Sequence, residues 1–178
     1  TDLKYSVVSE IKTVDRDGDG FVDNLYFGDL GGQLFRVDLN NAASTPASNF
    51  NVKRIVRIGN FVEDSARSTK AAPRFYAKPT FTVHRLNSME GIRNATRYAV
   101  ISIGSGDQSS PVYNKLTQTT GEPDRVYGIF DRDLGRTDLY TLSSDVAETD
   151  GLLTGTANLT NMLDIAITTG DTAATLEN

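Results

Sequence analysis

The 178-residue chain has no cysteine, no tryptophan, a single histidine and no apolar run approaching 18 residues. Without cysteine there are no disulfides, thiolate nucleophiles or thiolate metal ligands. Large exported domains do without disulfides, so the compartment stays open on that ground. The single histidine, His84, lies in the strand pattern Thr82-Val83-His84-Arg85. Common triads and transition-metal sites therefore lack parts, and His84 reads as a packed or exposed strand residue. No enzymatic activity is expected. The missing apolar run excludes a membrane-spanning helix, so no membrane insertion is expected. Positive charge is also short: 18 Lys and Arg stand against 23 Asp and Glu, a net charge of −5. That balance argues against nucleic acid as a partner and suits cation binding. The opening TDLKYSVVSEIK lacks the basic and apolar regions of a signal peptide. The final TTGDTAATLEN looks like an arbitrary stop, which suggests a piece cut from a longer exported protein.

What is present is mostly strand signal. Residues 5–13 are rich in Val, Ile and Thr, and 23–27 lead into a Gly-Asp-Leu-Gly-Gly turn followed by 33–39. In 33–39, Phe35, Val37 and Leu39 alternate with Arg36 and Asp38, so the pair reads as a hairpin with a glycine-bearing loop. Further strands are predicted at 52–58, 74–85, 97–103, 125–131 and 137–142. Loops fall at 40–51, 104–111 and 113–124, a charged stretch at 63–72, and a less defined tail at 143–178, where 159–167 could turn helically. Short strands between glycine turns predict an all-β fold: sandwich, barrel or propeller. About eight strands amount to roughly two four-stranded propeller blades of about 40–50 residues each, too few to close a ring.

Residues 15–23 read DRDGDGFVD. Calcium takes six to eight oxygen ligands, and the EF-hand loop supplies them from positions 1, 3, 5, 7 through a backbone carbonyl, 9 and 12, with glycine at 6. Here those positions hold Asp15, Asp17, Asp19, Phe21 and Asp23, with Gly20 at the sharp turn. Position 12 departs: Tyr26 stands where Glu is required, and Asp23 could bind directly in its stead. Four carboxylates in nine residues repel one another strongly without a cation. Aspartates capping their own backbone would explain one or two Asp-Gly pairs, but not four aspartates in this register. Magnesium fits less well because it demands rigid octahedral geometry. The flanks are β-branched before the loop and rich in glycine and aromatics after it, so no EF-hand helix leaves it. The expectation is a calcium (Ca2+) loop joining two strands.

This loop, followed by Tyr-Phe-Gly-Asp-Leu-Gly-Gly-Gln-Leu-Phe-Arg-Val-Asp-Leu, resembles the C-terminal domain of the PilC/PilY family, type IV pilus tip-associated adhesins with a modified β-propeller. Similar segments follow in order: Arg-Phe-Tyr-Ala-Lys-Pro-Thr at 74–80, Gly-Ser-Gly-Asp at 104–107 and Asp-Arg-Val-Tyr-Gly-Ile-Phe-Asp at 124–131. The resemblance implies that 1–178 is part of a C-terminal propeller domain, about two blades plus insertions. It implies calcium on Asp15, Asp17, Asp19, Asp23 and the Phe21 carbonyl. It also implies pilus biogenesis, twitching motility and adhesion, at the cell surface, pilus tip or outer membrane. The partners would be pilus subunits (minor pilins) or a host surface ligand. The chain departs from the family in lacking a von Willebrand-type region and an Arg-Gly-Asp tripeptide. The alternatives are a fragment of a quinoprotein-dehydrogenase-like propeller enzyme and an integrin-like calcium-binding scaffold repeat. The first should show Trp-bearing blade motifs, and the chain has no Trp.

Two weaker patterns complete the reading. Asp131, Asp133 and Asp138 match no cation template and read as an exposed salt-bridged turn. Arg54, Arg57, Arg67, Lys70 and Arg74 form a basic region whose ordinary reading is a solvated strand face and whose functional one is a docking surface. Tyr26, Phe27, Phe35, Phe75, Tyr76 and Phe81 are expected mostly in the core.

Overall fold

The structure is a computed structural model that describes residues 3–39, 52–62, 72–86, 96–109 and 124–140. The expected tail at 143–178, with its helical turn, and the loops at 40–51 and 113–123 lie outside the described residues. Among the described residues seven strands form two antiparallel sheets: β1 (Lys12–Val14), β2 (Asn24–Gly28), β3 (Gln33–Leu39) and β4 (Val52–Asn60), then β5 (Thr80–Leu86), β6 (Thr96–Gly104) and β7 (Val126–Asp131). Each sheet is a meander in chain order. A short 3-10 turn, Asp133–Gly135, follows β7. The all-β expectation holds, as four strands plus three.

The β2–β3 hairpin forms where expected. Gly28 pairs with Leu34 across a loop in which the Asp29 carboxylate accepts the Gly31 and Gln33 N–H groups, both at 2.9 Å. Gly32 takes φ +77°, a conformation that costs glycine little and other residues more. Three expected strands differ. Of the 5–13 segment only residues 12 and 13 pair in a strand, which runs on to Val14, and Tyr5, Val7, Val8 and Ile11 are exposed. The rest follows the hairpin irregularly, with Leu30 N–H on the Ser6 carbonyl and the Ser9 hydroxyl on the Gly28 carbonyl. In 74–85 the strand starts only at Thr80, after Pro79, which has no N–H to give a ladder. Residues 137–140 form a turn, because side chains take its carbonyls in place of a strand partner. Arg54 donates to the Leu139 carbonyl and Lys53 to that of Tyr140.

The main core lies between the facing sides of the sheets. Tyr26, Leu34, Val56 and Ile58 from the first sheet meet Ala99, Ile101, Ile103, Tyr127 and Ile129 from the second, with Phe61, Phe75, Leu134 and Leu139 from the connections. Phe61 stacks on Tyr127 at 4.0 Å between ring centres, and Phe75 meets both rings edge-on. On the opposite face of the first sheet, Phe27, Phe35 and Val37 form a second cluster with Leu25, Leu39 and Ile55. The aromatics assigned to the core from sequence are buried, apart from half-buried Tyr76 and Phe81. Each large apolar side chain so buried contributes about 1.5–3 kcal/mol.

Alternation along β3 is as expected, but its polar side is buried as well. Arg36 and Asp38 are 0 % exposed. They face the second sheet, where the Arg36 guanidinium meets Asp131 at 2.8 Å and Asp133 at 3.4 Å. On its own strand Arg36 pairs with Asp38 at 2.8 Å, and Arg54 approaches the same carboxylate from β4 at 3.4 Å. The Tyr26 hydroxyl donates to Asp131, and the Asn24 amide to Asp38. This polar network bridges the sheets, and every partner lies in the low-dielectric interior, where satisfied charges hold geometry tightly.

Candidate metal centre

The loop of interest joins β1 to β2, so a strand-to-strand connection replaces any helix pair. Its base is closed by the last β1 pair, Val14 with Asn24, and by the Asp23 N–H on the Val14 carbonyl at 2.9 Å. Above that base the aspartates organise the backbone. Asp15 accepts the Gly18 N–H at 2.7 Å and the Gly20 N–H at 2.9 Å, one on each carboxylate oxygen. Asp17 accepts the Asp19 N–H at 3.2 Å, and Asp19 accepts the Phe21 N–H at 2.8 Å. Gly18 and Gly20 sit at φ +84° and +92°, conformations that would strain any residue with a Cβ. The sequence therefore supplies glycine at both places where the loop must reverse.

One carboxylate oxygen from each of Asp15, Asp17 and Asp19 lies within 4.8 Å of the others, and all three residues are exposed. Oxygens bound to one calcium at about 2.3–2.6 Å can stand at most about 5 Å apart. The 4.8 Å upper limit is compatible with a calcium shell. Each carboxylate oxygen carries two lone pairs, so the hydrogen bonds to the loop N–H groups do not exhaust its capacity to bind an ion.

Of the five residues singled out from sequence, the structure brings these three together. Phe21 is on the same loop, with an exposed ring. Asp23 stands apart from the group: it is 1 % exposed and accepts the Arg16 N–H at 2.6 Å. Tyr26, at the departing twelfth position, is buried in the inter-sheet network. Burial first, then the Asp131 carboxylate, pushes its phenol well above the ordinary tyrosine range.

Two sequence readings change. Asp131 and Asp133 are neither a cation site nor an exposed turn; both are buried against Arg36. Only Asp138 is in an exposed pair, with Arg136 at 2.8 Å. That bond holds the Asp138 carboxyl below its ordinary range. Burial works against the Arg36 charge, but Asp131 and Asp38 outweigh it and hold its pKa well above the usual guanidinium value. Of the basic region's described residues, Arg54 is buried and Arg74 pairs with Asp107 at 3.1 Å, while Arg67 and Lys70 lie outside the described residues. His84 is exposed and stacks on Tyr98 at 5.5 Å, in keeping with a strand residue.

Sequence reasoning missed Arg16. Its guanidinium donates through Nε to the Leu134 carbonyl at 2.8 Å and through Nη2 to the Arg136 carbonyl, and it lies over the Tyr140 ring. Nothing in the spacing of DRDGDGFVD marks the second residue, because its partners lie more than a hundred positions away.

Among the described residues no helix is long and apolar enough to cross a membrane. Comparison with curated proteins gives no match. Among solved structures, the chain is similar to the Pseudomonas aeruginosa PilY1 C-terminal domain at 18% identity and a TM-score of 0.48. That match covers 85% of this chain and 28% of the solved one. A family model of the PilY1 beta-propeller domain matches residues 5–164. With that match spanning nearly all of its length, the chain belongs to the PilY1 β-propeller domain family.

Proposed function

We propose that this chain is a calcium-binding, non-catalytic segment of a type IV pilus-associated protein, exported to the cell surface or pilus tip. In this reading it acts in pilus biogenesis, twitching motility and adhesion. Its partners are pilus subunits (minor pilins) or a host surface ligand. The observation that carries the metal reading is the convergence of the Asp15, Asp17 and Asp19 carboxylates on one glycine-turned loop. Those three residues, the Phe21 carbonyl and Asp23 would hold the ion. Calcium would supply positive charge that cancels the repulsion among the carboxylates and tie the β1–β2 connection into one shape. The chemistry is structural: a hard cation on oxygen donors, with its affinity falling in acid because the ligands must be deprotonated.

The test is isothermal titration of calcium into the chain and into an Asp15→Ala/Asp23→Ala variant. Saturable binding by the first and none by the second is expected; no saturable binding by the native chain contradicts the metal reading. In cells, the double variant in the parent protein is expected to lose surface pili or twitching. Unaltered piliation, motility and adhesion contradict the pilus reading.

A further inference from the structure

Arg16 belongs to the loop through its backbone and to the second sheet through its side chain. Its N–H closes the loop on Asp23 at 2.6 Å. Its guanidinium grips two carbonyls of the turn after β7: Leu134 at 2.8 Å through Nε, and Arg136 through Nη2. The Tyr140 ring lies beneath it, 5.1 Å from the guanidinium carbon to the ring centre. The same turn is held at the far end of the loop, where the Tyr140 hydroxyl donates to the Asn24 side-chain Oδ1 at 3.2 Å. The turn thus grips the metal loop at both its second residue and the residue that follows it.

The gripped turn has little freedom to slip. Asp133 sets its start against Arg36. Gly135 packs so closely on β6 that a Cβ there would lie 2.0 Å from the Arg97 carbonyl oxygen. Leu139 is buried in the main core. A loop that changes shape must therefore carry the turn with it or break the Arg16 contacts.

We propose that Arg16 is a positioning residue that couples the loading of the 15–23 loop to the order of the 133–140 turn, and so to the second sheet. The proposal rests on the calcium reading above. Arg16 does not ligate the ion. It converts a local event on the first sheet into tighter docking between sheets, and by reciprocity the docked turn favours the ion-holding form of the loop.

The test is amide hydrogen exchange read by mass spectrometry on the whole chain, with and without calcium, for the native chain and for Arg16→Ala, Arg16→Lys and Tyr140→Leu. In the native chain calcium slows exchange in both 15–23 and 133–140. In Arg16→Ala it still slows 15–23, while 133–140 exchanges roughly tenfold faster and no longer responds to calcium, as loss of two partly buried hydrogen bonds implies. Arg16→Lys, which keeps the charge but not the fork or the flat stacking surface, recovers little of the response. Tyr140→Leu leaves Arg16 in place and weakens the response in part, which covers the case in which Arg16→Ala does not fold. Calcium affinity drops several-fold in Arg16→Ala. If calcium protects the loop but not the turn in the native chain, the coupling is wrong and the metal reading stands. A turn that still follows calcium in Arg16→Ala overturns the coupling equally. If calcium changes neither region, both readings fall together.

Discussion

Among the described residues lie two clusters of aspartate, and they are solved in opposite ways. Asp38, Asp131 and Asp133 are buried, and the chain itself supplies their countercharge from Arg36 and Arg54. Asp15, Asp17 and Asp19 are exposed and converge, with their carboxylates accepting backbone N–H groups of their own loop. In the proposed calcium reading, the contrast separates a structural staple from a receptor. A cluster that carries its own cation is complete on folding, whereas one left to the surface can wait for an ion from solution.

The largest expected effect is on the buried cluster. Arg36→Leu leaves three carboxylates in the interior without their main partner and should destabilise by about 3–5 kcal/mol, the range for breaking a buried ion pair. Denaturant midpoints should fall in chelator, and slightly more in calcium, because Asp133 anchors the turn that Arg16 couples to the loop. A loss seen only in calcium would contradict the structural role of Arg36.

The loop should behave in the reverse manner. Asp17→Ala is expected to leave the metal-free midpoint nearly unchanged, because the residue is exposed and its hydrogen bond is local. With calcium at about a hundred times its dissociation constant, the native chain gains about 2.7 kcal/mol by mass action, and the variant should lose most of that gain.

A third outcome concerns alkali. Burial raises the Tyr26 and Tyr140 phenols. The native state therefore holds protons that the unfolded chain gives up near pH 10. The stability these phenols contribute is complete below about pH 10 and is lost as pH rises through their raised native values. Unfolding midpoints from about pH 8 to 11 should fall above about pH 10, and less steeply in Tyr26→Phe. Equal slopes would remove Tyr26 from the account.

The smallest effect is at the glycines of the loop. Space is open around Gly18 and Gly20, so Gly20→Ala meets only backbone strain, about 1 kcal/mol. That cost should appear as weaker calcium binding by titration, while the core stays intact by near-ultraviolet circular dichroism. Native affinity in Gly20→Ala would show that φ +92° is not needed for binding.

How much of this could be read from sequence depends on how far apart the partners lie. The loop's glycines and its β flanks are local, and the structure keeps both. The position of Tyr26 as a non-ligand was also visible, since phenol stands where a bidentate carboxylate belongs. The burial of Arg36 and Asp38 was not. Alternation assigns them to one face of β3 but cannot say that a second sheet covers that face. Their partners Asp131 and Asp133 are about a hundred residues away, so each half looks like an ordinary surface charge. Arg16 was hidden for the same reason. The 137–140 turn misled for a different one: β-favouring residues there are overruled by Arg54 and Lys53, which take the carbonyls a strand would need.

The most direct test of the central claim is the thermal unfolding midpoint of the native chain and of Asp15→Ala, each in chelator and in saturating calcium. The account predicts that calcium raises the native midpoint by several degrees and leaves that of Asp15→Ala where it was. A native midpoint indifferent to calcium, or an equal rise in both proteins, would contradict it.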